Sequence, residues 1–123
     1  MFAIEVHTEF FASHQLRLPG GGIEPLHDHN WRVTARIQSA QLDALETVMD
    51  FHTLEESLKK ICVRWHSRNF NDIRPFDKAI NPSAERIAQH IADLLAPEIP
   101  PPAVLQYISI TEAPGCVAMY FPE

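Results

Sequence analysis

Cysteine is nearly absent. The chain has only Cys62 and Cys116, far apart and in no CxxC pair. That excludes a thiolate zinc ribbon and a disulfide framework. Basic residues are also few, 10 Lys and Arg against 16 Asp and Glu, for a net charge of −6. They are scattered as well, so no basic face offers itself to a phosphate backbone, and nucleic acid is not an expected partner. Long apolar runs are missing, which argues against a membrane span. The opening MFAIEVHTEF has neither the basic start nor the apolar stretch of a signal peptide, so the expected setting is the cytoplasm. What the chain does have is histidine, seven in 123 residues. With 46% hydrophobic residues it can bury one core, and residues 1–123 are expected to form a single domain.

Residues 2–14 alternate, with Phe2, Ile4, Val6, Phe10, Ala12 and His14 on one side and Glu5, His7, Glu9 and Ser13 on the other. This predicts a half-buried strand. RLPGGGIEP reads as a flexible loop. Residues 27–38 alternate again, with His27, His29, Trp31, Val33, Ala35 and Ile37 inward. DFHTLEESLKKICVRWH predicts a helix, with a capping-box pattern at Thr53 and Glu56 and an apolar stripe from Leu54 to Trp65. NFNDIRPFDKAI reads as a connecting loop. A second helix is expected from Asn81-Pro82, as cap and first helical position, ended by APEIPPP. Residues 103–112 and 116–121 read as strands joined by a Pro114-Gly115 turn. The order is ββααββ, an α+β layer architecture with a four-stranded antiparallel sheet and two helices.

His27 and His29 are two apart on a strand and so share a face. His14 ends the inward face of the preceding strand. Three imidazoles with an open fourth position form a usual ligand set for a catalytic zinc. The competing reading is three buried histidines bonded to backbone. His7 and His90 are expected at the surface, and His52 is open between the two environments. Glu112 ends a mostly apolar face running through Val104, Gln106, Ile108 and Ile110. A carboxylate there is costly unless bonded. Either it accepts the N–H edge of a planar ligand, or the strand is already ending and Glu112 is wet.

The segments FFASHQL, HDHNW, VMDF, FNDI, NPSAERIAQHI and EAPGCVAMY, in this order, resemble those of the 6-pyruvoyl-tetrahydropterin synthase and 6-carboxytetrahydropterin synthase family. The resemblance covers nearly the whole chain. It implies a tunnelling fold whose ββααββ protomers assemble into an oligomeric barrel, commonly a hexamer, with active sites at subunit interfaces. It implies that His14, His27 and His29 bind Zn2+ and that Glu112 anchors a pterin ring. The implied substrate is 7,8-dihydroneopterin triphosphate, handled by a zinc-dependent lyase.

The pattern departs from the family where protons are moved. The family's cysteine position, four residues before His27, is Ile23. Its Asp-His pair falls on His66 and Ser67, its H-G-H glycine on Asp28, and the threonine after the anchoring glutamate on Ala113. Some family members use glutamate where the cysteine stood and act in folate biosynthesis by retro-aldol cleavage. Glu24 is then a candidate base, its pKa raised by desolvation, or else an exposed loop residue. His66 is a candidate acid or base, or else a helix-end residue favoured by the dipole. Three functions stay open: a lyase with the family's reaction or an altered one, a zinc-containing pterin- or purine-binding paralogue without synthase activity, and, ranked below these, a structural paralogue that keeps zinc for folding or assembly.

Overall fold

A computed structural model describes residues 1–123. The strands are β1 (Phe2–His14), β2 (His27–Ser39), β3 (Arg68–Asn69), β4 (Val104–Ala113) and β5 (Cys116–Tyr120), and the helices are α1 (Phe51–Cys62) and α2 (Ala84–Leu95). They form a five-stranded mixed sheet in the order β3-β1-β2-β4-β5. The four long strands make the antiparallel sheet that the alternation predicts. The fifth, β3, pairs parallel with β1 through Ala12↔Arg68 and Ser13↔Asn69. It lies inside the stretch read as a loop, because two residues are too few to show a period. No helix is long and apolar enough to cross a membrane.

The inward faces follow the alternation. Val6, Phe10, Ala12 and His14 of β1 are buried, as are Trp31, Val33, Ala35 and Ile37 of β2. Leu54, Leu58 and Ile61 of α1 and Ile87, Ile91 and Leu95 of α2 close the same core. α1 packs on β1, and α2 on β4 and β5.

On β4 the phase differs from the sequence expectation. Leu105 is buried and Val104 exposed, because Gln106 is the extra residue of a β-bulge between the pairs Arg36↔Tyr107 and Ile37↔Leu105. A bulge resets the alternation by one residue. Gln106 accepts from Arg36 Nε at 2.7 Å instead of facing the core.

Both helix starts also move. Asp50, not Thr53, caps α1, its carboxylate accepting from Thr53 N at 3.1 Å. Ser83, not Asn81, caps α2 by accepting from Arg86 N at 3.2 Å. In each case a second residue of capping type stood nearby and the tertiary frame chose between them. α1 ends at Cys62 and continues as a 3-10 turn, Val63–Trp65, which leaves His66 extended beyond it.

Candidate metal and ligand site

β1 and β2 bring the three inward histidines together. In the antiparallel register His14 lies opposite His27, and Ala12 opposite His29. The rings stand edge to face, with centroids 4.6 Å (His14–His27), 5.0 Å (His14–His29) and 4.8 Å (His27–His29) apart. One ligand nitrogen from each lies within 4.8 Å of the others, so the cluster could hold a metal ion. Beneath it sits Trp31, whose ring meets His14 at 4.8 Å and His29 at 5.2 Å. The Trp31 indole donates to Ala12 O at 3.1 Å.

His14 is 1% exposed. Its Nδ1 lies 2.7 Å from Pro82 O. A carbonyl only accepts, so Nδ1 carries the proton and Nε2 presents a lone pair. That Nε2 is buried without a hydrogen-bond partner. A bare lone pair among imidazoles is costly to leave unmade, and it is the donor a metal takes. Burial also pushes the His14 pKa down, which favours the neutral ring.

Two carboxylates flank the cluster. Glu112 Oε1 is 3.2 Å from His14 Nε2 and 3.9 Å from His29 Nε2. It is half-buried, not a wet strand end. A second bulge puts it there: Thr111 pairs with Val117 and Ala113 with Cys116, leaving Glu112 as the extra residue that turns towards the histidines. Glu112 and His29 also border a cleft of about 410 Å³ with Asp28, Asn30, Arg32 and Thr111. That is large enough for a small planar ligand.

Glu24 is the other carboxylate, its Oε1 3.0 Å from His27 Nε2. Its loop is built rather than loose. Arg17 bridges Ile23, Leu18 N donates to Gly22 O at 2.7 Å, and Gly20 and Gly21 take positive φ to turn the chain. Glu24 Oε1 also accepts from Leu16 N at 2.9 Å. The hydrogen bond with His27, then that from Leu16, hold the Glu24 pKa below the usual carboxylate value. This reverses the sequence expectation of a raised pKa: donors reach the carboxylate, so hydrogen bonding outweighs desolvation. Ile23 beside it is exposed.

His66 does not join the cluster. Its Nδ1 accepts from Phe11 N at 3.1 Å on the edge of β1, in a groove shared with Thr8, Phe10, Lys59 and Cys62. His90 is half-buried rather than at the surface, its ring 5.9 Å from Trp65 and 5.6 Å from Phe76. Cys62 offers no substitute nucleophile, since burial pushes its thiol up to about 12. Alkylation of the folded protein at mildly alkaline pH is expected to label the exposed Cys116 alone, with Cys62 labelled only after denaturation. Mass spectrometry showing Cys62 modified in the folded state would contradict that.

Sequence reasoning missed the Pro82 carbonyl and the backbone contacts of Asn71 and Asn81. The only signal for the asparagines was their place in FNDI and NPSAERI.

The fold is matched by solved structures at low identity. A Caenorhabditis elegans 6-pyruvoyl tetrahydropterin synthase is 19% identical with a TM-score of 0.85, over 99% of this chain and 96% of its own. The Plasmodium vivax synthase is 19% identical with a TM-score of 0.76, over 100% and 99%. It was also solved as a variant in which alanine replaces a glutamate described as catalytic, with the same 19% identity and TM-score of 0.76 over 100% and 99%. The Plasmodium falciparum synthase is 22% identical with a TM-score of 0.73, over 98% of each chain. None of the curated proteins matches the chain. The family described as 6-pyruvoyl tetrahydropterin synthase matches residues 3–123, nearly the full length, so the chain belongs to the 6-pyruvoyl tetrahydropterin synthase family.

Proposed function

We propose that the protein is a zinc-dependent lyase of the pterin pathway, acting on 7,8-dihydroneopterin triphosphate or a related pterin, with Glu24 as its proton-transfer group. The observation that carries this is the Glu24 carboxylate 3.0 Å from His27 Nε2, within the histidine cluster and beside the inert Ile23. The Plasmodium vivax relative, with its catalytic glutamate, gives precedent for such a residue in this fold.

His14, His27 and His29 would hold the Zn2+, and the orphaned Nε2 of His14 supports that fit. When bound, the metal supplies Lewis-acid polarisation of the substrate's side-chain oxygens. Glu24, with its lowered pKa, is ionised at neutral pH and acts first as a base. It takes the proton of a side-chain hydroxyl as the adjacent carbon–carbon bond breaks, the hydroxyl carbon leaving as a carbonyl, and returns that proton to the carbon that keeps the electron pair. Glu112, on the border between cluster and cleft, accepts the N–H edge of the pterin ring. A homo-oligomer, with a hexamer expected, is supported by the exposed Phe11, Val117 and Met119. His66, held by Phe11 N, is left as a residue that could serve only a site on another copy.

The test is incubation of the zinc-loaded protein with 7,8-dihydroneopterin triphosphate. Glu24→Gln is expected to lower kcat by about 10²- to 10⁴-fold while zinc content stays unchanged. A specific observation favours a second reading: Ile23 and His66, at positions where the family moves protons, do not reach the cluster. Tight pterin or purine binding without turnover, lost in Glu112→Ala, would establish that zinc-containing binding paralogue instead. Neither turnover nor binding would refute both.

A further inference from the structure

The geometry points to Asn71 and Asn81 as positioning residues that set the Glu24 carboxylate against His27. This goes beyond the lyase proposal and rests on it only for its activity arm. β1 ends at His14, and residues 15–17 lead on from it to an isolated antiparallel bridge, Arg17↔Ile23. On one side they have lost their strand, because β3 ends at Asn69, opposite Ser13. Two side-chain amides replace it. Asn71 Oδ1 accepts from Gln15 N at 2.9 Å and its Nδ2 donates to Gln15 O at 2.8 Å. Asn81 Oδ1 accepts from Arg17 N at 2.7 Å and its Nδ2 donates to Arg17 O at 3.1 Å.

Each carboxamide thus behaves as one peptide unit of a neighbouring strand, offering one acceptor and one donor. A backbone N–H and C=O of the same residue face each amide, so flipping it would set like groups together. The orientations are therefore fixed. The Arg17 guanidinium tightens the arrangement by donating to Phe76 O at 2.6 Å and Ile80 O at 3.1 Å.

In an extended chain, alternate residues send their polar backbone groups to opposite edges. Gln15 and Arg17 point at the asparagines, so Leu16 points the other way, at Glu24. Leu16 N donates to Glu24 Oε1 at 2.9 Å, and Glu24 N donates to Leu16 O at 3.0 Å. Gln15 Nε2 adds a bond to Glu24 O at 2.9 Å. The oxygen held by Leu16 is the one that meets His27 Nε2. A straight path therefore runs from the two amides, through three backbone residues, to the carboxylate at the cluster. This also gives FNDI and NPSAERI a physical task that metal binding does not.

Asn71→Asp and Asn81→Asp keep the acceptor and remove the donor, setting a charge against a carbonyl. Asn71→Ser, neutral and shorter, controls for the charge. Hydrogen exchange at the Leu16 amide is expected to speed up about five- to tenfold in these variants, as loss of one hydrogen bond predicts, with α1 amides unchanged as the internal reference. Leu16 protection that stays at the wild-type level relative to α1 would overturn the inference, whatever the activity.

In the turnover assay, Asn71→Asp is expected to lower kcat about 10- to 100-fold with KM within about a factor of two. In the Glu24→Gln background the same change should have no further effect. A merely structural role would persist in that background and would overturn the positioning role. If the wild-type chain turns nothing over while Leu16 exchange responds, the lyase reading fails and the positioning stands.

Discussion

His14→Ala is expected to abolish stoichiometric metal binding, from about one zinc per chain to a small fraction of that at equal protein concentration. The reason is specific to this imidazole. His27 and His29 have other partners, 2.8 Å from each other through Nδ1 and Nε2, and Glu24 takes the second nitrogen of His27. His14 Nε2 makes no hydrogen bond: Pro82 fixes its tautomer with the lone pair inward, and its neighbour, Glu112 Oε1 at 3.2 Å, is another acceptor rather than a donor. The measurement is metal analysis after dialysis, paired with melting. With zinc at about 100 times its Kd, binding adds about 2.7 kcal/mol, which for a chain of this size is about 10 °C in Tm. A chelator should remove that increment from wild type and leave His14→Ala unmoved. His14→Ala also empties a buried site and orphans the Pro82 carbonyl, so His29→Ala is measured beside it. His29 is more exposed, and its loss should remove the chelator response with less damage to the apo protein. Wild-type protein that binds no zinc, or a His29→Ala variant that keeps it, would sink the metal reading.

What the sequence disclosed and what it hid divide by the range of the interactions. β1 and β2 were legible because their signal is a period of two carried over a dozen residues, and the three histidines sit in phase with it. The element order was legible for the same reason. The bulges at Gln106 and Glu112 were not, because a bulge is a choice of register between two strands and leaves no mark on one of them. Glu112 therefore stands out in the sequence by its type at the end of an apolar run, with ligand anchor and wet strand end both open, while the device that aims it is invisible. The caps were ambiguous because Thr53 and Asn81 have the right chemistry a few residues from the residues that do the work, Asp50 and Ser83. Asn81 had a stronger offer from the backbone of Arg17, 64 positions earlier. For Glu24 the sequence leaves two readings open, a desolvated base in a flexible loop and an exposed loop residue. Its actual donors, Leu16 N and His27, become neighbours only once residues 15–17 are pinned.

Trp31→Ala is expected to be the most destabilising single change, because Trp31 belongs to the core and to the site at once. Its ring is fully buried, stacked on Phe10 at 6.3 Å and edge-on to Phe70 at 5.8 Å. Its upper edge supports His14 and His29, and its indole N–H satisfies Ala12 O. Ala12 lies opposite His29 in the β1–β2 register, so that one hydrogen bond ties the floor of the site to the strand pair that carries it. Truncation should cost about 3–5 kcal/mol, a large share of a total stability of about 5–15 kcal/mol, and lower Tm by about 10–20 °C. Trp31→Phe keeps most of the ring and removes the N–H. It should cost about 0.5–1.5 kcal/mol, the net contribution of one hydrogen bond. Urea unfolding of both variants, with and without zinc, separates the two contributions. If Trp31 only fills space, the zinc increment to stability will be the same in wild type and in both variants. If it also holds the imidazoles in register, the increment will shrink in Trp31→Ala and survive in Trp31→Phe, because ring support persists there while the hydrogen bond does not. The second pattern is expected, since His14 and His29 are in direct contact with the indole and have no other aromatic floor.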